Sequence, residues 1–453
     1  MMDTPICDFV RAYNEKSPVR LHMPGHKGAP FLGCEALDIT EFDGADDLFC
    51  PDGIIEKSEK NASEIFGAHT FYSAGGSTLA IQTMLRLFLL YSKERNVPPK
   101  ILAARNVHKA FINAAALLNI DVDFIYPKSA ASYYSCPIKK SDVERALSSD
   151  SSVSAVYITS PDYIGNISDI KGISKICKKH GVLLLVDNAH GAYLKFLKDD
   201  LHPIALGADM CCDSAHKTLP VLTGGAYLHI SKNAPDFLFK NVKHAMALFS
   251  TSSPSYLIMQ SLDKANPLLL TYKKTLSEFI EKIDSLKRAV YTHGFSLAGD
   301  EPLKITLSPK SFGYTGDEIA EILENNGIYP EFHDPDFTVL MPTPFNTDEE
   351  LSRLVAVLIS IKRRAPKSTF SPPLHKLKRA LPIRDALLSP SQTVDISDSL
   401  GRVCAVSSVS CPPAVPIAVS GEVIDENVIE CFKYYGIKTC SVVKNPFKSS
   451  FEC

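Results

Sequence analysis

The stretch VLLLVDNAHGAY (182–193) decides the fold. An unbroken apolar run from Val182 to Val186 fits a strand buried on both faces, the pattern of a parallel sheet covered by helices. It stops abruptly at Asp187, followed by Asn188, Ala189 and His190. An acid at the carboxyl end of such a strand faces the crevice where open α/β sheets bind ligands. The same acid could equally cap the next turn.

The following segment, ADMCCDSAHKTLPVLTGG (208–225), narrows the choice. A second apolar strand ends in Asp213, and Ser214, His216, Lys217 and Thr218 follow at the same sheet edge. A loop lysine is ordinarily solvated, but Lys217 is hemmed in by a strand, by Pro220 and by a glycine pair. A lysine amine near a buried acid is what pyridoxal phosphate chemistry requires: the amine forms the Schiff base and the carboxylate keeps the ring nitrogen protonated. A phosphate cradle stands at SAGGSTLAIQTM (73–84), where Gly75, Gly76, Ser77 and Thr78 precede a periodic helix. Glycines permit close backbone approach and the first amides of the helix are unpaired, although Ser or Thr there is also an ordinary N-cap. Neither GxGxxG nor a Walker lysine is present, which argues against dinucleotides and nucleoside triphosphates.

Around these segments, residues 61–230 alternate apolar runs with helical patterns, the βαβ signature. Strands are expected at 100–105, 122–127, 153–159, 182–187, 208–213 and 225–230. Helices are expected at 78–95, 108–119, 140–147 and 168–180. The predicted architecture is α/β, a mostly parallel sheet domain (61–265) with a small α+β domain (266–365). An amino-terminal arm (1–60) and a linker with a small carboxy-terminal domain (366–453) complete the division.

The 453 residues are 45% hydrophobic and 22% charged, ordinary for a globular chain. A formal charge of −3 advertises neither nucleic acid nor an anionic membrane, so a small-molecule partner is expected. The twelve cysteines are scattered with no CxxC, which suits neither a zinc site nor a disulfide framework. The first residues lack a signal-peptide pattern and no apolar run reaches membrane-spanning length, so a reduced, cytoplasmic protein is expected. His22 and His26 are separated by Pro24 and Gly25, which break a helix, and no metal site is predicted. His108 could stack on a flat cofactor or be a structural histidine.

Taken together, LHMPGHKG (21–28), DITEFDGADDLF (38–49), GGST (75–78), RNVHKA (105–110), TSPDYIGNISDI (159–170), DNAHGAY (187–193) and DSAHKTLPVLTGG (213–225) resemble the bacterial ornithine/lysine/arginine decarboxylases. That family has the aspartate-aminotransferase-like fold (fold type I). The tail, with LPIRDALL (381–388) and GRVCAVSSVSCPPAVPIAVSGE (401–422), resembles the family's carboxy-terminal domain.

The resemblance implies decarboxylation of arginine, lysine or ornithine. Lys217 would be the Schiff-base lysine, Asp187 the pyridinium partner and His108 the stacking residue. Ser77, Thr78, Ser214 and His216 would hold the phosphate, with Ala189 and His190 near the ring. Lys217 or His216 would return a proton to Cα. The segment LFSTSSPSYLIMQSLD (248–263), through Thr251 or Ser252, would reach a neighbouring subunit's site, implying a homodimer or higher homo-oligomer. Departures fall at Asn188, where the family has Glu, at Gly224, where it has Gln, and in the tail at Val406, Ser410, Cys411, Ala414 and Ser420. They bear on substrate choice, for which Asp46, Asp47, Asp162 and Glu331 are candidate acids. Another reaction on the same fold, such as an aminotransferase, aldolase or other lyase, and a non-catalytic cofactor-binding protein are the alternatives.

Overall fold

The structure is a computed structural model and describes residues 2–127, 132–373, 375–406 and 413–444. Ser410 and Cys411 lie outside the described residues. In chain order the first elements are α1 (Pro5–Glu15), α2 (Ile54–Phe66), β1 (His69–Ser73), α3 (Gly76–Glu94), β2 (Lys100–Ala104), α4 (Lys109–Leu118) and β3 (Asp121–Ile125). Then come α5 (Lys140–Ser149), β4 (Ala155–Thr159), α6 (Ile170–His180), β5 (Leu183–Asp187), β6 (Met210–Asp213), α7 (Ala215–Thr218) and β7 (Ala226–Ile230). The six expected strands and four expected helices all form. β1 was not expected, because HTFYS alternates polar residues and offers no apolar run.

Contacts divide the chain into two compact units. The first comprises residues 1–99, 151–160 and 169–278. Within it β4, β5 and β6 are parallel, in the register Thr159↔Asp187 and Asp187↔Cys212. β7 runs antiparallel to β6, and β1 antiparallel to β7. Every residue of β5, β6 and β7 is buried, as the apolar runs require.

The amino-terminal region is more ordered than its Gly, Pro and Asp content implies. Pro5 starts α1 at a position where a missing N–H costs nothing. At α2, Asp46 Oδ2 accepts the amides of Gly53 and Ile55 at 3.0 and 2.8 Å, satisfying donors that a helix start leaves open. Its Oδ1 accepts from Asp47 and Asp52. Asp46 is therefore an anchor of its own loop rather than an acid available to a cationic substrate.

The second unit holds residues 100–150, 161–168 and 279–453. β2 and β3 pair in parallel here. Four short strands, β8 (Ser296–Ala298), β9 (Ile305–Ser308), β10 (Phe332–His333) and β11 (Thr338–Leu340), form an antiparallel sheet in the order β10-β11-β9-β8. The tail adds β12 (Ser391–Asp395), β13 (Cys404–Val406) and β14 (Thr439–Val443), in the order β12-β14-β13. A buried cation ties this tail down: the Arg105 guanidinium donates to the carbonyls of Pro416 and Ile417 at 2.8 and 2.9 Å and meets Glu422 at 3.4 Å. Glu422, the last residue of the tail stretch 401–422, thus has a packing role. Asp162 is likewise committed, accepting the amides of Ile164 and Asn166 and the Asn166 side chain, which corrects its candidacy as a substrate acid.

The helix Tyr256–His293 is continuous across Pro267.

Candidate functional site

Parallel pairing brings the carboxyl ends of β4, β5 and β6 to one edge of the first unit, and with them Tyr157, Asp187 and Cys212. Asp187 is buried. Its Oδ1 accepts from the Ala189 amide at 3.1 Å and the Cys212 thiol at 3.7 Å, and its Oδ2 accepts from the Tyr157 hydroxyl at 3.3 Å. The amide bond is ordinary, but the hydroxyl is long and the thiol a weak donor. Burial pushes the Asp187 carboxyl above the ordinary carboxylate value, opposed only in part by the Lys217 charge and these donors. The Tyr157 hydroxyl is pushed up by burial and then by Asp187, so it stays a donor.

Lys217 lies in the single turn of α7 that follows β6. Its Nζ is 2.9 Å from Nε2 of His190, itself buried just past β5. The neighbouring His216 has its Nδ1 3.0 Å from the Gly225 carbonyl. A carbonyl only accepts, so Nδ1 carries the proton. The loop closes on the head of α3. Ser214 Oγ donates to Ser77 Oγ at 2.8 Å, and the Gly76 amide donates to the Gly224 carbonyl at 2.8 Å. Gly224 has φ +94, a left-handed conformation that favours glycine over the larger residue of the resemblance. A Cβ placed on Gly76 would meet nothing within 4 Å, so open space adjoins the first residue of α3, where helix amides are unpaired.

The structure thus brings together Gly76, Ser77, Thr78, Asp187, Ala189, His190, Ser214, His216 and Lys217, all within the first unit. His108 belongs to the second unit, where its Nδ1 accepts the Ala110 amide and caps α4. Ser252 lies on an exposed turn, and among the described residues no hydrogen bond joins it to Ser77, Ser214 or Lys217. Tyr157 and Cys212 were missed from sequence. Both sit on strands correctly placed, and the register that pairs Cys212 with Asp187 was the signal that could have found one of them.

The family model for the Orn/Lys/Arg decarboxylase major domain matches residues 4–306. The chain belongs to the ornithine/lysine/arginine decarboxylase family. It is accordingly a pyridoxal-phosphate-dependent amino-acid decarboxylase. An arginine decarboxylase of Halalkalibacterium halodurans is 31% identical over 94% of this chain and 91% of the relative. An arginine decarboxylase of Bacillus subtilis is 29% identical over 95% and 93%. Among solved structures, lysine decarboxylase A from Pseudomonas aeruginosa superposes with a TM-score of 0.81 at 16% identity, covering 97% of this chain and 80% of that one. The Francisella novicida lysine decarboxylase LdcF gives 0.78 at 16%, over 98% and 81%. These neighbours share its fold, the pyridoxal-phosphate fold type I. Among the described residues no helix is long and apolar enough to cross a membrane.

The residues at the sheet edge fit the cofactor. A primary amine, a buried carboxylate short of strong donors and an open cradle at a helix start are what an aldehyde, a pyridinium and a phosphate demand.

Proposed function

We propose that this decarboxylase acts on arginine, with Lys217 as the covalent anchor of pyridoxal phosphate. The observation that carries the site reading is Asp187: a buried carboxylate whose side-chain donors are a distant hydroxyl and a weak thiol, at the same sheet edge as a lysine amine. Bound pyridoxal phosphate supplies the electron sink for cleavage of the bond from Cα to the carboxylate. Asp187 would hold the proton on the ring nitrogen, and the phosphate would rest on Gly76, Ser77, Thr78, Ser214 and His216. Ala189 and His190 would border the ring. Lys217 Nζ, held by His190, or His216 would deliver the proton that replaces the carboxylate at Cα. Ser252 of the partner subunit would complete the phosphate region in a homodimer.

Arginine is favoured over lysine and ornithine by the names of the two relatives above, each alignable over most of this chain. The test is carbon dioxide release from each of the three amino acids by the purified, cofactor-loaded protein. The highest kcat/KM is expected for arginine, with agmatine as product. Turnover of an apolar amino acid and of none of the three would overturn the substrate reading and leave the site standing.

A further inference from the structure

On the other face of the same strands lies a cluster that the decarboxylase chemistry does not use. Cys211 and Asp213 are two residues apart on β6 and share one face. His229 on β7 pairs with Cys211 across the antiparallel ladder and joins them. His202 enters from the loop before β6. All four side chains are buried, and their ligating atoms lie within 4.8 Å of one another. His202 Nε2 and His229 Nε2 are 3.0 and 3.1 Å from the same oxygen, Asp213 Oδ2, and His202 Nε2 is 3.8 Å from Cys211 Sγ.

The geometry points to a structural zinc site formed by His202, Cys211, Asp213 and His229. Two imidazoles, a thiolate and a carboxylate are a donor set that suits zinc, whose bonds of about 2.0–2.3 Å need only a modest contraction of the cluster. The outer contacts are those that orient metal ligands. His229 Nδ1 is 2.9 Å from Thr70 Oγ1, and Asp213 Oδ1 accepts from Asn188 Nδ2 at 2.6 Å. His202 Nδ1 has no hydrogen-bond partner among the described residues, so the polar interactions of that ring are all made on its Nε2 side. Ionised Asp213 and deprotonated Cys211 would carry two negative charges into the core, and a divalent cation neutralises them where, among the described residues, no lysine or arginine is hydrogen-bonded to the cluster. Binding releases the Cys211 thiol proton to solvent, while each neutral imidazole presents its Nε2 by carrying its one proton on Nδ1, with no change of oxidation state. Through Asp213 and Asn188 the ion would brace the turn that carries Asp187. None of this depends on which amino acid is decarboxylated.

The sealed position sets the experiment. Cofactor-loaded protein produced with zinc in the medium is passed through EDTA-containing buffer, and its metal content is measured before and after denaturation. About one zinc per chain is expected, retained by the native protein and released on unfolding. Cys211→Ser and His202→Gln should each lower the content at least about fivefold in protein that remains folded. Should His202→Gln fail to fold, Cys211→Ser, which exchanges one sulfur for oxygen, keeps the test. Protein produced with cobalt in place of zinc should show a thiolate-to-metal absorption band that Cys211→Ser removes. Folded parent protein without stoichiometric metal, or metal content unchanged by Cys211→Ser, would overturn the site and leave the cluster a set of hydrogen bonds.

Discussion

Asp187 and Asp213 end adjacent strands and are both buried, yet their surroundings are opposite. Asp213 is met by an asparagine amide and two imidazoles at 2.6, 3.0 and 3.1 Å. Burial works against its charge, but the two histidines overcome it and hold the carboxyl below the ordinary value. Asp187 has a hydroxyl at 3.3 Å and a thiol at 3.7 Å as its side-chain donors, and burial leaves its carboxyl raised. A carboxylate saturated with partners stabilises the fold around it. One left short of them favours an arriving cation, such as a protonated ring nitrogen.

The substitution that removes charge at each position separates the two roles. The largest effect is expected on turnover: Asp187→Asn should lower kcat more than about 200-fold, beyond the roughly 1.5–3 kcal/mol of a charge-assisted hydrogen bond. Circular dichroism should show the fold retained. Parent-like turnover would make Asp187 a turn cap. Next in size, Asp213→Asn should destabilise the fold by about 3 kcal/mol at pH 7 in denaturant titrations, as breaking a buried charge cluster does. Its native carboxyl lies below the unfolded value, so the difference from the parent is present above about pH 4 and is lost as pH falls through the native value.

Asp187→Asn should have the opposite sign. A carboxyl raised in the fold destabilises it once ionised, so the cofactor-free variant should melt higher than the parent at pH 7. That advantage should vanish below about pH 4, where Asp187 is protonated in both states. Equal signs for the two variants would break the contrast. The smallest effect belongs to Val406, exposed on β13 and one of the tail positions where the chain departs from the resemblance. Val406→Glu should lower KM for arginine by no more than about fivefold, the scale of one exposed ion pair, and an unchanged KM would remove the tail from substrate recognition.

The strands that carry the site were legible because burial on both faces leaves continuous apolar runs, and each run ends in the residue that matters. Val182 to Asp187 and Met210 to Asp213 needed no tertiary information. β1 escaped because its stability comes from pairing with β7 rather than from its own composition. The part played by Asp46 escaped for a related reason: sequence offers it as a candidate substrate acid, and only the fold aims backbone amides at it. The same holds for Asp162. The contrast between Asp187 and Asp213 was not legible either, since both end apolar strands and differ only in what the neighbouring strand and loop point at them.

The most direct test of the cofactor site is chemical. The cofactor-loaded protein is reduced with borohydride, digested and mapped by mass spectrometry. The expected result is pyridoxyl label on Lys217, the lysine held at 2.9 Å by His190 at the end of β6. Label on any other lysine, or no bound cofactor after reconstitution, would contradict the assignment.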